Sequence, residues 1–233
     1  MRPSAARNLV ALGLGLLPPY AVVLFVRVTQ GRLFTLAELV LYPLVIGTGC
    51  MLVMLGLVRF VCREPLSVLS PGAGSWRRDV LAGVILAVAF VVFMLAAQPL
   101  LARLSVHHRN PDAMTLIVGL LEHPWLMLVW FGPVLWIGVA GFEEVSRVFL
   151  LTRLMEVWPG DAGRVGAVVA ATVMAGLTHA YQGPAGVVTT GAMGLACSVF
   201  FVRRGRLWPL VIAHALYDAW SIGMALASVA GWI

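Results

Sequence analysis

The chain has 233 residues, 61% hydrophobic and only 11% charged, with a mean hydropathy of +0.96. A soluble domain carries about 25% charged residues, so this composition excludes a water-soluble globule, a disulfide-built secreted scaffold and a disordered regulator. All 16 basic residues are arginine, and against 10 acidic residues they leave a net charge of +6. They sit mainly in short segments between apolar runs, which reads as topology and contact with anionic lipid. No basic patch interleaved with aromatics is present, and no nucleic-acid partner is expected.

A helix needs about 20 apolar residues to cross the hydrocarbon core, and seven candidate spans follow in chain order. The first runs over Leu9–Val26, broken by Pro18-Pro19. Arg2 and Arg7 precede it like the start of a signal peptide. No small-x-small cleavage site follows, so it reads as a retained span. The second covers Phe34–Val58 and the third Val80–Ala102. Met114–Leu121 is too short to span and reads as an interfacial helix. The fourth covers Trp125–Leu154, with a kink expected at Pro133. The fifth is Val165–Tyr181, the sixth Ala185–Val202 and the seventh Leu207–Val229.

Together these predict an all-α, polytopic helical bundle of about seven spans, forming one membrane-embedded domain over 1–233. Residues 1–110 supply accessory spans and 125–233 the motif-bearing core. Counting arginines by the positive-inside rule puts eleven on the N-terminal side and four opposite, with Arg147 inside a span. That predicts a cytoplasmic N-terminus. The second half is richer in Gly, Ala and Thr, which lets helices approach closely in lipid. Cys50, Cys62 and Cys197 have no motif spacing and read as packing residues. The tryptophans at 125, 130, 136, 158, 208 and 232 read as interfacial anchors.

The informative residues are ionisable groups within spans, each costing about 2.5–3.5 kcal/mol at a helix centre. They concentrate in the last four spans: Glu143, Glu144 and Arg147 in the fourth, His179 late in the fifth, His214 and Asp218 in the seventh. The first three spans carry essentially none. Arg147 lies i,i+4 from Glu143 and i,i+3 from Glu144. Adjacent glutamates point about 100° apart, so one can face a cavity while the other pairs with Arg147. His214 and Asp218 are i,i+4 and project together. Such groups activate water and stabilise an oxyanion, or hold a divalent metal.

Depth makes one demand. At 1.5 Å per residue, Glu143 stands about 17 Å from its helix end, His214 about 10 Å and His179 about 21 Å. Either the fifth helix tilts or His179–Gly186, with Gly183-Pro184, turns back within the protein. If the residues form one site, a glutamate stands within about 4–7 Å of both His179 and His214.

At these positions the sequence resembles the CPBP family, the CAAX proteases and bacteriocin-processing intramembrane proteases, marked in order by EExxxR, FxxxH and HxxxN or HxxxD. The counterparts are Glu143-Glu144-Val145-Ser146-Arg147, then Ala175 to His179, then His214-Ala215-Leu216-Tyr217-Asp218. The arginine comes one residue early, and Ala175 replaces the phenylalanine. Aligning the two glutamates with the family pair is preferred, because Arg147 still reaches Glu144 at i+3 or Glu143 at i+4. The resemblance implies an intramembrane endopeptidase akin to those that trim prenylated CAAX proteins. Glu143 would act as main base on water with Glu144 assisting, and His179 would position that water. His214 and Asp218 would stabilise the oxyanion, with Arg147 in support. It also implies a possible divalent metal, zinc first, on His179 and His214 with Glu143 or Glu144. The HExxH signature is absent. The expected partners are membrane lipids and a peptide or membrane-protein substrate, in a bacterial inner membrane. Two other readings are a non-catalytic immunity or scaffold protein of the same family and a proton-coupled transporter. Small-residue faces fit a monomer or a dimer equally.

Overall fold

The computed structural model describes residues 4–30, 34–104 and 111–232. Among them the fold is entirely helical, with no strand. The helices are α1 (Ala5–Gln30), α2 (Leu36–Val61), α3 (Trp76–Leu104), α4 (Pro111–Glu122), α5 (Trp125–Val157), α6 (Asp161–Thr178), α7 (Gly183–Arg204) and α8 (Trp208–Val229). His107 and His108, in polar sequence after the third expected span, lie outside the described residues.

Among the described residues, five helices are long and apolar enough to cross a membrane: α2, α3, α5, α8, and α7 with the turn before it. The chain is therefore a multi-pass membrane protein. The other two expected spans fall on α1, whose apolar run is counted over Ala5–Pro18, and on the 18-residue α6. α6 nonetheless has the form of a lipid-facing helix. Val165, Val169, Val173 and Leu177 repeat outward every fourth residue, while Gly163, Ala167, Ala171 and Ala175 are buried. The small-residue face packs against α5 and α7, as packing without a hydrophobic drive requires.

Local chemistry sets the breaks. Thr35 and Glu38 form a reciprocal capping box that starts α2. α5 widens into a π-helical stretch over Trp130–Val139, with non-helical φ/ψ at Gly132, the residue before Pro133. Proline lacks an N–H and crowds the preceding turn, so the helix gives way there. Trp130 is buried within this stretch rather than anchoring a helix end. The short amphipathic α4 buries Leu116, Ile117 and Leu120.

The core is organised around the second half of α5, where every residue from Glu144 to Leu154 is buried. Val148, Phe149 and Leu151 meet Met54 and Val58 of α2, Ala167 and Ala171 of α6, and Leu210 and Ala213 of α8. The three cysteines are free, with Cys62 and Cys197 buried.

Two expectations about charge are corrected. Arg153, counted with the loop arginines, lies in α5 and is 1% exposed. There it donates to Asn8 at 3.0 Å and pairs with Glu64. The early spans also carry more charge than expected. Asp79, in the first turn of α3, is buried and paired with Arg206. Hydrogen bonding to Asp79 raises the Arg206 pKa above its ordinary value.

Candidate active site

Glu143 and Glu144 leave α5 on different faces just after its π-helical stretch, and their environments differ sharply. Glu144 is 1% exposed. It accepts two hydrogen bonds from Arg147, from Nε at 2.8 Å and Nη2 at 3.0 Å. It accepts a third from His214 Nδ1 at 2.8 Å. A buried carboxylate with three charge-assisted or ring N–H donors is a fixed structural group. The early arginine therefore costs the motif nothing, because one helical turn brings Arg147 onto Glu144 in a bidentate grip.

Among the described residues Glu143 makes no such bonds. One oxygen lies 3.8 Å from His179 Nε2 and the other 4.0 Å from His214 Nε2. A single glutamate thus stands between both histidines, at separations that leave room for one water touching more than one of them.

His179 arrives by a turn, the second of the two routes open from its depth. α6 ends at Thr178, His179 caps it with φ −101° and ψ 12°, and a 3₁₀ turn over Ala180–Gln182 leads into α7. Gly183 has φ 81°, a conformation that favours glycine, and Pro184 fits the first turn of the next helix. The ring is held by Nδ1, which donates to the Ala175 carbonyl at 2.9 Å. A carbonyl only accepts, so the neutral ring keeps its lone pair on Nε2, toward Glu143.

His214 is held the same way by its Nδ1–H on Glu144, and its Nε2 faces Asp218 Oδ2 at 3.4 Å, one turn along α8. All six residues singled out in the sequence thus come together: Glu143, Glu144, Arg147, His179, His214 and Asp218. Among the described residues no group of three or more His, Cys, Asp or Glu side chains is placed to hold a metal ion, and Glu144 is already taken by Arg147 and His214.

Sequence reasoning missed the supports on α7. Thr190 donates to the Ala175 carbonyl at 3.2 Å, the same oxygen that holds His179. Gly194 faces Arg147, and a Cβ there would lie 2.7 Å from both Arg147 Nη1 and Ala175 Cβ. Gly194→Ala is therefore expected to lower stability by about 1–3 kcal/mol, the usual cost of overpacking. Thermal unfolding in detergent checks this, and an unchanged midpoint contradicts it. Neither residue belongs to a sequence motif, so only the packing reveals them.

No curated protein and no solved structure matches the chain. A family model does: residues 124–220 match the family described as Type II CAAX prenyl endopeptidase Rce1-like. That segment runs from the start of α5 into α8 and contains all six site residues, and the match supports assigning it to the CPBP, or CAAX-protease, family.

Proposed function

We propose that the chain is an intramembrane endopeptidase in which Glu143 activates water for attack on a peptide carbonyl. The observation that carries this is the placement of Glu143 between His179 Nε2 at 3.8 Å and His214 Nε2 at 4.0 Å, with Glu144 fully engaged elsewhere. A water between them donates one hydrogen to Glu143 and the other to the Nε2 lone pair of His179. Its own lone pair is left to face the substrate.

Glu143 takes the proton as the water oxygen bonds to the carbonyl carbon, and the carbonyl oxygen becomes an oxyanion. His214, carrying a proton on Nε2 and steadied by Asp218, donates to that oxyanion. The C–N bond then breaks. Glu143 returns its proton to the departing amine, giving a carboxylate and a new N-terminus. Glu144 and Arg147 never touch the substrate; they hold His214. These steps use the chain's own side chains alone.

The substrate class we propose is a prenylated CAAX-type peptide or membrane protein, at the inner membrane of a bacterium with the N-terminus cytoplasmic. The test uses the purified full chain in liposomes with a farnesylated CAAX-type peptide in H₂¹⁸O. Cleavage at one bond, with one ¹⁸O in the new carboxylate, is the expected result. No cleavage beyond that of Glu143→Gln liposomes would refute the reading. Prior treatment with dipicolinate is expected to leave the rate unchanged; loss restored by zinc would bring a metal into the site. Arg147, although one residue early in the motif, still engages Glu144 and so lends no support to an immunity or scaffold reading.

A further inference from the structure

The site depends on where α8 sits. Packing between apolar helices has no hydrophobic drive, so depth and rotation are set by close fits and polar contacts. The helix is narrow, with side chains reaching about 5–6 Å from its axis. A rotation of about 10° therefore moves an imidazole by about 1 Å. Misplacement on that scale costs about a hundredfold in rate.

α8 is gripped where the chain enters it from α7. Arg206 Nε donates to Asp79 Oδ1 at 3.0 Å and its Nη2 pairs with Asp79 Oδ2. Its Nη1 donates to the Gly72 carbonyl at 2.8 Å, and Gly72 N–H donates to the Gly205 carbonyl at 2.8 Å. The Leu207 N–H donates to Ser70 Oγ at 3.2 Å. One turn further on, α3 and α8 touch at Gly83, where a Cβ would lie 2.6 Å from Ile212 Cγ2 and 3.0 Å from the Pro209 carbonyl. Ser70, Gly72, Asp79 and Gly83 all lie outside the family-matched segment. From Arg206 to His214 is eight residues, about 12 Å along the axis.

The Asp79 carboxylate is 3% exposed. A buried carboxylate is expensive without a partner, so a surface pair formed by chance does not account for it. The grip reaches both edges of the guanidinium and both backbone sides of the turn, which sets α8 in rotation as well as depth.

We propose that Asp79 and Arg206 are positioning residues for His214: their ion pair sets the rotation of α8 and so the aim of the imidazole at Glu143 and the substrate. The proposal rests on the endopeptidase reading for its effect on turnover, but its structural half can be read without a substrate. It differs from a general anchoring role. An anchor changes how much protein is folded, whereas a positioning pair changes what the folded protein does.

The experiment compares wild type, Asp79→Asn, Asp79→Glu and Glu143→Gln as full chains in nanodiscs, with Arg164→Ala as a control. Arg164 forms an exposed pair with Asp161 away from the site. Two quantities are measured: kcat and KM on the farnesylated CAAX-type peptide, and the Cε1 resonance of His214 in protein labelled at its five histidines. Asp79→Asn is expected to lower kcat by about 10–100-fold at unchanged KM and to move the His214 resonance. Asp79→Glu is expected to restore most of both, and Arg164→Ala to change neither. If Asp79→Asn does not fold, Arg206→Lys replaces it, keeping the charge but losing the two-edged grip. A folded fraction with the wild-type kcat and the wild-type His214 resonance would overturn the proposal. If wild type cleaves no faster than Glu143→Gln, the endopeptidase reading fails, and the resonance alone decides whether the pair sets His214.

Discussion

Replacing Glu143 by glutamine is expected to lower turnover by about 10²–10⁴-fold, the range for loss of a general base, while thermal unfolding stays at the wild-type value. Both halves follow from the same geometry. The Glu143 oxygens stand 3.8 and 4.0 Å from the histidines, too far to hold the fold by direct hydrogen bonds. A glutamine keeps the shape but cannot accept the proton from water. Glu144→Gln should behave differently. It replaces one oxygen of a buried carboxylate that accepts from Arg147 twice and from His214 once, so it should lower stability along with turnover. The comparison needs only a melting curve and a cleavage rate for each variant. Equal loss of stability in both, or full activity in Glu143→Gln, would show that the two glutamates do not divide the work in this way.

The second large effect is expected at Arg147. Arg147→Met leaves the Glu144 charge buried with His214 as its one remaining donor. Removing one partner of a buried ion pair typically costs about 3–5 kcal/mol. The double variant Glu144→Gln/Arg147→Met removes both charges and should recover a large part of that loss, since an uncharged pair carries a smaller desolvation cost. Reversible unfolding in mixed micelles, with the two single variants and the double variant in one cycle, measures the coupling. A single Arg147→Met variant within about 1 kcal/mol of wild type, less than a third of the larger expected cost, would mean that Glu144 does not depend on it.

Much of this site was legible in the sequence, for a physical reason. Charge inside an apolar helix is costly enough that the few groups present stand out, and i,i+3 and i,i+4 spacing says which can meet on one helix. That was sufficient to foresee Arg147 on a glutamate and His214 beside Asp218. It did not decide which glutamate Arg147 would take, because both spacings were open. The structure gives Glu144, leaving Glu143 to the histidines. The break at Pro133 was legible too, although it falls on Gly132 and spreads into a π-helical stretch over Trp130–Val139.

Arg153 was counted with the flanking arginines, and Asp79 drew no reading, because both lie near helix ends, where a charge is ordinarily exposed to water at little cost. Their partners, Asn8 and Glu64 for one and Arg206 for the other, lie far away in the chain, and no local spacing announces them. Thr190 and Gly194 escaped for a related reason: each matters only through the helix it faces. α6 illustrates the limit of span counting. A helix covered on one side by neighbours can do with a narrower apolar face than a lone spanning helix, and the outward row of Val165, Val169, Val173 and Leu177 on α6 is such a face.

The Arg153 knot also bears on the order in which the chain assembles. Asn8 meets Arg153 across 145 residues, Asp79 meets Arg206 across 127, and Glu144 meets His214 across 70. A ribosome delivers the chain from its N-terminus, so Asn8, Glu64 and Asp79 are made long before the arginines that complete them. Glu143 and Glu144 are in turn made before the helix that carries His214. Contacts this distant in sequence form late, and the last of them close only once α8 has been synthesised. Throughout its synthesis the chain is a set of helices in which Glu143, Glu144 and His214 have not yet met, and any chemistry that needs them together waits until the chain is whole.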